Sequence, residues 1–202
     1  MLLRFLALIF AFVLTSGSTS TSGNSPSNID AVSGSMFDTP ATKDSTINRS
    51  TTACRDCPNS DCFKCVLGRN ATVVANTNTN INISALIGFD LGIDGTSVKS
   101  CIIQIPAFTD LPQSDITIII SKAAPADWSE DTVTGENAPA VGDQVVSVVV
   151  PALSNLGPVD ITTACQSAAD GKFSVYFSAK AGRYEFWARD YGDPAILHVT
   201  RV

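Results

Sequence analysis

Residues 125–139 read "PADWSEDTVTGENAP": one of the chain's two tryptophans, a cluster of carboxylates and an asparagine, held between two prolines. Such a stretch has three readings. Its carboxylates suit acid–base attack on a glycosidic bond, which needs two of them at a set separation. Its indole suits sugar stacking, because a flat aromatic ring presents an apolar face. The third reading is architectural: a long connection anchored by Trp128, with Glu130 and Thr132 hydrogen-bonding the backbone of a turn. The third is preferred. Nothing in the stretch sets a separation between Asp127, Glu130 and Asp131, and carboxylates clustered on a loop are ordinarily just solvated.

Outward from this stretch the chain reads as short strands. "DITIIISKA" precedes it and "DQVVSVVVPA" follows it. Further strands are read in "ATVVAN", "SALIGFD", "SVKSCIIQIP", "GKFSVYFSAK", "RYEFWARD" and "AILHVTRV". They are rich in β-branched and aromatic residues and are separated by turn pairs such as Asp94–Gly95 and Asp170–Gly171. No segment of a dozen residues carries a helical stripe. "DITTACQSA" has room for a single helical turn, capped by Asp160 or Thr162. The expected fold class is all-β: a two-sheet antiparallel β-sandwich of jelly-roll type with an N-terminal disulfide knot. Alternation assigns faces. In "KFSVYFS", Phe173, Val175 and Phe177 point to the core, and Ser174, Tyr176 and Ser178 point away. In "RYEFWAR", Tyr184, Phe186 and Ala188 share one face, and Arg183, Glu185, Trp187 and Arg189 the other. An indole among polar neighbours on an outer face needs a reason.

The remaining segments bound the domain. Residues 1–17 read as a secretory signal peptide, with Arg4, the apolar run "FLALIFAFVL" and then small residues; the run is too short to span a bilayer. Residues 18–52 are Ser/Thr-rich without periodicity and read as a disordered, O-glycosylated linker. Residues 53–202 make one ordinary domain. Six cysteines fall at 54, 57, 62, 65, 101 and 165. The run "CRDCPNSDCFKC" has zinc-like spacing, but an exported chain and an even count favour disulfides. The expected pattern is a knot pairing Cys54–Cys62 with Cys57–Cys65, or Cys54–Cys65 with Cys57–Cys62, plus a Cys101–Cys165 bridge. The formal net charge of −6 argues against nucleic acid as a partner. Glycosylation sequons stand at Asn48, Asn70 and Asn82. No cofactor is expected. Asp90 and Asp94 in "GFDLGIDG" have the chemistry for a structural calcium ion, but read first as turn residues. The single histidine, His198, reads as a strand residue, and its isolation removes most nucleophile–histidine catalysis.

The motifs also occur in a recognisable order: "GIDGTSVKSCIIQIPAFTDLP", "DITIIISKA", "DWSEDTVTGENAPAVG", "PVDITTAC", "FWARDYGDPAILHV". The chain resembles carbohydrate-binding module family 96, also called the DNRLRE domain, over about residues 66–202. Trp128, Glu130, Thr132, Thr134, Asn137 and Pro139 match that family's Trp-x-Glu-x-Thr-x-Thr segment leading to Asn-x-Pro. Asp160, Ile161 and Thr162 match its Asp-Val-Thr, and Arg189 and Asp190 stand in its late Ser-Arg-Glu, with Ala188 for Ser and Asp for Glu. Gln104 replaces the usual aromatic. The cysteine knot followed by "VLG" looks like secreted fungus- or oomycete-like members. The resemblance implies a β jelly roll and a polysaccharide ligand, for some members one rich in uronic acid.

The expected function is a secreted, non-catalytic polysaccharide-binding module acting outside the cell or in the wall, without membrane insertion. Trp187, Tyr176, Arg183 and Arg189 are the expected carbohydrate-binding residues: the rings stack, and the guanidinium forks bind hydroxyls or uronate carboxylates. A structural or adhesive wall glycoprotein is the alternative from a different class, and a small lyase or hydrolase a weaker third.

Overall fold

In the computed structural model, which describes residues 34–180 and 182–202, the alternating segments assemble into two antiparallel sheets. The smaller sheet runs β1 (Met36–Pro40), β11 (Ile196–Arg201), β5 (Val98–Gln104), β8 (Val159–Asp160). The larger runs β10 (Gly182–Trp187), β3 (Thr72–Thr77), β4 (Asn82–Asp90), β9 (Lys172–Ala179), β6 (Ile116–Ala124), β7 (Ala140–Val150), with β2 (Lys43–Asn48) also paired to β4. All eight strands read from the sequence are present. The single turn of helix is α1 (Thr162–Gln166); Asp160 accepts a hydrogen bond from the Thr162 N–H at 2.8 Å, and the Thr162 side chain together with this N–H holds its carboxyl below the usual range.

Period-two patterning explains the main core. Phe173, Val175 and Phe177 of β9, Ile118 and Ile120 of β6, and Ala85, Ile87 and Phe89 of β4 point inward to meet Ile103 of β5 and Leu197 and Val199 of β11. Cys101 and Cys165 join β5 to α1 across this core, closing a loop of 64 residues. In the chain-entropy account such a bridge contributes about 4 kcal/mol. The knot pairs Cys54 with Cys62 and Cys57 with Cys65, the first of the two patterns expected.

Two strands correct the domain boundaries. The linker was expected to extend to residue 52, yet β1 and β2 lie within it and belong to the sheets. The composition hid them for a physical reason. β2 is "KDSTIN", with one large apolar residue, but its polar side chains are buried with partners. The Asp44 carboxylate accepts from the Arg189 N–H at 2.8 Å, the Thr46 hydroxyl from the Val74 N–H at 2.9 Å, and the Asn48 carbonyl from the Ser50 N–H at 3.0 Å. Buried polar groups are tolerated when hydrogen-bonded, and that rule leaves no hydrophobic pattern to read. The signal peptide and the linker as far as residue 33 lie outside the described residues.

A second, smaller core sits on the outer face of the larger sheet. Ile47, Leu86, Ala123 and Tyr176 point outward from β2, β4, β6 and β9 and are closed over by Val133, Trp128 and Ala138 of the 125–139 connection. This lid covers one part of the outer face and leaves another part, on β3 and β10, open.

Candidate functional site

The lid is held by cations and by one buried acid. Arg49, just past β2, donates to the carbonyls of Gly135 (3.0 Å), Ala138 (3.3 Å) and Pro139 (3.2 Å). Lys43 donates to the carbonyls of Ala126 and Trp128 and lies 4.6 Å from the centre of the Trp128 ring. Burial pulls the Lys43 ammonium below its usual pKa, with Asp127 and Glu130 acting the other way. Trp128 donates its indole N–H to the Ser174 hydroxyl at 2.9 Å. Its ring is therefore an anchor, as its position on the connection suggested.

Glu130 does more than brace a turn. It is buried, accepts from the Asp44 N–H at 2.6 Å, and takes both prongs of the Arg189 guanidinium at 3.0 and 2.9 Å. Arg69 approaches it at 3.2 Å while also pairing with Asp131 (2.8 Å) and Asp190 (2.9 Å). Gly68 allows this approach, since a Cβ there would lie 2.3 Å from the Glu130 carbonyl oxygen. The fork to Glu130 raises the Arg189 pKa, and Arg69 holds the Asp131 carboxyl low. Asp44, desolvated beside Glu130 and Asp190, is pushed up to about 6 despite the bond from Arg189. Glu130, Asp131 and Asp190 each pair with a guanidinium, and Asp44 accepts from the Arg189 backbone N–H, so the cluster is a clasp between β2, the lid and the end of β10. It lacks the open pair of carboxylates that hydrolysis of a glycoside needs.

Two of the four residues expected to bind sugar are thereby spent on architecture. Arg189 is the clasp, its guanidinium committed to Glu130 and Asp190. Tyr176 does point away from the main core, but the lid covers it completely, and its hydroxyl donates to the Pro139 carbonyl at 2.7 Å. Alternation assigned its direction correctly; it could not show that a distant connection folds back over that face. Burial raises the phenol pKa. The sequon at Asn48 is corrected likewise. Its side chain is buried and faces Cys54 and Ser50, so a glycan on it is incompatible with this fold, whereas Asn70 and Asn82 are exposed. Asp90 and Asp94 serve turns: Asp90 accepts from the Gly92 N–H, and Asp94 from both the N–H and the hydroxyl of Thr96. Among the described residues no group of three or more His, Cys, Asp or Glu is arranged around a metal position.

Trp187 and Arg183 remain on the surface. Tyr184 and Phe186 of β10 turn into the core, which leaves Arg183, Glu185 and Trp187 on the outer face beside Asn76, Val74 and Thr72 of β3. Trp187 is 48% exposed. Arg183 is paired to Glu185, which also accepts from the Thr109 hydroxyl at 3.0 Å. The chain then turns tightly, with the Tyr191 and Gly192 N–H groups donating to the Ala188 carbonyl, and sets Tyr191 on the surface at 59% exposure. Gly192 passes so close that a Cβ on it would lie 2.7 Å from the Trp187 Cβ. The turn thus braces the base of the indole and leaves its ring open. The free edge of β10 is blocked by the 105–109 connection, through a bridge from Phe108 to Phe186 and the Thr109 N–H to the Glu185 carbonyl. Sequence reasoning passed over Tyr191, because it lies in a turn where no alternation assigns a face, and passed over Arg49, Lys43 and Arg69, whose partners are distant in sequence.

Two exposed rings on a β-sandwich, with a pinned Trp-x-Glu lid, now have a context among known proteins. The chain is 51% identical over 160 residues, 79% of its length and 82% of the relative's, to a protein of Arthroderma benhamiae described as an uncharacterized secreted protein. The family model described as carbohydrate-binding module family 96 matches residues 67–201, which include the lid, the Arg189 end of the clasp and both exposed rings. With the fold, the motif residues and the matched span in agreement, the chain belongs to carbohydrate-binding module family 96.

Proposed function

We propose that this protein is secreted and binds an extracellular or cell-wall polysaccharide without cleaving it, on the outer face of β3 and β10. The observation that carries this reading is the open ring of Trp187, on a strand whose two inward neighbours are locked in the core. Indole and phenol rings supply large contact area at low entropic cost. Thr72, Asn76, Arg183 and Glu185 line the same face and supply hydrogen bonds to hydroxyls. The surface is preformed, so binding orders little of the protein. The two arginines expected to meet uronate carboxylates already face carboxylates of the protein, so the face suits hydroxyl recognition and has no need of an acidic sugar.

A pull-down on insoluble polysaccharides and a glycan array test the reading. The parent binds at least one polymer, and Trp187→Ala weakens that binding by about tenfold or more, the size expected for an aromatic anchor. Equal binding by Trp187→Ala removes the site; no binding to any polymer favours a structural wall protein; release of reducing ends or unsaturated uronate by purified protein restores an enzyme.

A further inference from the structure

The smaller sheet presents a second surface of different chemistry. Its outward residues along β11 are Ile196, His198 and Thr200; Gln104 of β5 lies directly opposite Ile196, and Asp38 of β1 opposite His198. At one end of this face the connection leaving β5 and the one entering β11 rise as walls. They line a half-open groove of about 290 Å³ whose lining includes Ile196, Pro106 and Pro194, with Gln104, Asp193 and His198 as the polar groups. That volume is at the small end of the range for small-molecule sites, enough for one sugar ring.

We propose that this groove is a second carbohydrate subsite, taking one ring of a neutral, hydroxyl-rich sugar. Its apolar lining, Pro106, Ala107, Pro194 and Ile196, offers contact to the C–H face of a pyranose. Its polar groups are free to act: among the described residues the Gln104 amide and the Asp193 carboxylate have no hydrogen-bond partner. His198 has one. Its Nδ1 lies 2.7 Å from Asp38 Oδ1; this contact occupies Nδ1 and orients the ring, leaving Nε2 as its second polar atom. The groove therefore holds an imidazole nitrogen, an amide that both donates and accepts, and a carboxylate, a set that pairs with sugar hydroxyls, which themselves both donate and accept. Charge decides the ligand class. Asp193 is in the lining, Asp38 stands behind His198, and no Lys or Arg lines the groove, so a uronate carboxylate is repelled there. The subsite uses none of the Trp187 platform's residues and sits on the other sheet, although its walls are the 105–109 connection along β10 and the turn whose Gly192 braces Trp187.

The single histidine makes the test specific. The imidazole resonances of His198 report this groove, and the indole N–H resonance of Trp187 reports the other surface. The secreted protein is titrated with laminarihexaose, cellohexaose, mannohexaose and hexagalacturonate. At least one neutral oligosaccharide gives a saturable His198 shift at millimolar sugar. That shift persists in Trp187→Ala, and Gln104→Ala/Asp193→Ala, both at exposed positions, weakens it by about tenfold. Three results overturn the subsite: no saturable shift with any neutral sugar, a shift with hexagalacturonate alone, or loss of the His198 shift in Trp187→Ala. A Trp187 resonance that stays unmoved while His198 responds removes the platform and keeps the groove.

Discussion

The two tryptophans of this chain are set in opposite circumstances. Trp128 belongs to the stretch richest in chemical groups, and the fold encloses it: Ser174 takes its N–H, Lys43 lies over its ring, and Tyr176 and Leu86 lie in the small core it helps to close. Trp187 belongs to an ordinary strand, and the fold leaves half of it open while bracing its base against Gly192. The contrast teaches that chemical richness on a loop is weak evidence for a site. The carboxylates of Glu130 and Asp131 and the Trp128 indole also make a strong lid, because each finds a cation or a hydroxyl to satisfy it. An open ring on a rigid strand, with nothing left to do for the fold, is the better pointer to a ligand.

That contrast breaks first at Glu130. Glu130→Ala takes the forked partner from the Arg189 guanidinium, leaving it Asp190 alone, and removes the acceptor for the buried Asp44 N–H. Breaking one side of a buried ion pair costs about 3–5 kcal/mol, so urea or thermal unfolding of this variant should show the largest loss. Trp128→Ala follows at about 2–4 kcal/mol, the cost of a large side chain removed from a partly buried site. A loss below about 0.5 kcal/mol would mean that the lid does not depend on its ring.

Acidity sharpens the comparison from another side. Asp44 has a folded pKa of about 6 against an ordinary value of 3.8. Between those values the folded state holds a proton that the unfolded state has lost, so stability falls as pH rises through this window and is lowest above about pH 6. The contribution is up to about 3 kcal/mol at 1.36 kcal/mol per pKa unit. Asp44→Asn should flatten the slope between pH 4 and about pH 7 in denaturation curves; an unchanged slope would show that Asp44 is not its source. Asp131, Asp94 and Asp160, whose pKa values are lowered, act in the opposite sense, and their stabilisation is lost only as pH falls below about 4.

The smallest stability effect is expected at the open ring. Trp187→Ala should change unfolding by no more than about 0.5 kcal/mol while weakening polysaccharide binding, the reverse of Trp128→Ala measured above the folding threshold. Glycan occupancy then checks which surfaces are open. Intact-mass and deglycosylation analysis of protein secreted from a eukaryotic host should find Asn48 unmodified, and any N-glycan on Asn70 or Asn82.

Much of the sandwich was legible. Phe173, Val175 and Phe177 alternate with polar residues, and a period of two in β-branched and aromatic residues has few other solutions. The disulfide pattern was narrowed to two knots, and folding chose one. The sites were less legible, because they depend on what covers each outer face. Arg189 and Trp187 share a face by alternation, yet Arg189 lies 59 residues from the Glu130 that captures it. Tyr176 is buried by Val133 and Pro139, residues of a connection with no periodic signal. The polar strand "KDSTIN" entered the sheet because Arg189, Val74 and Ser50 satisfy its side chains.

By itself, then, the sequence determined the eight strands with an apolar pattern, the face each of their side chains leaves from, and the family motif around Trp128 and Glu130, since these rest on local propensity and period. The tertiary structure alone decided which outward residues stay outward. That choice depends on ion pairs and hydrogen bonds between segments far apart in the chain, whose geometry no local pattern encodes. Through it, the motif around Trp128 became the lid, and the surface was left to Trp187 and Tyr191.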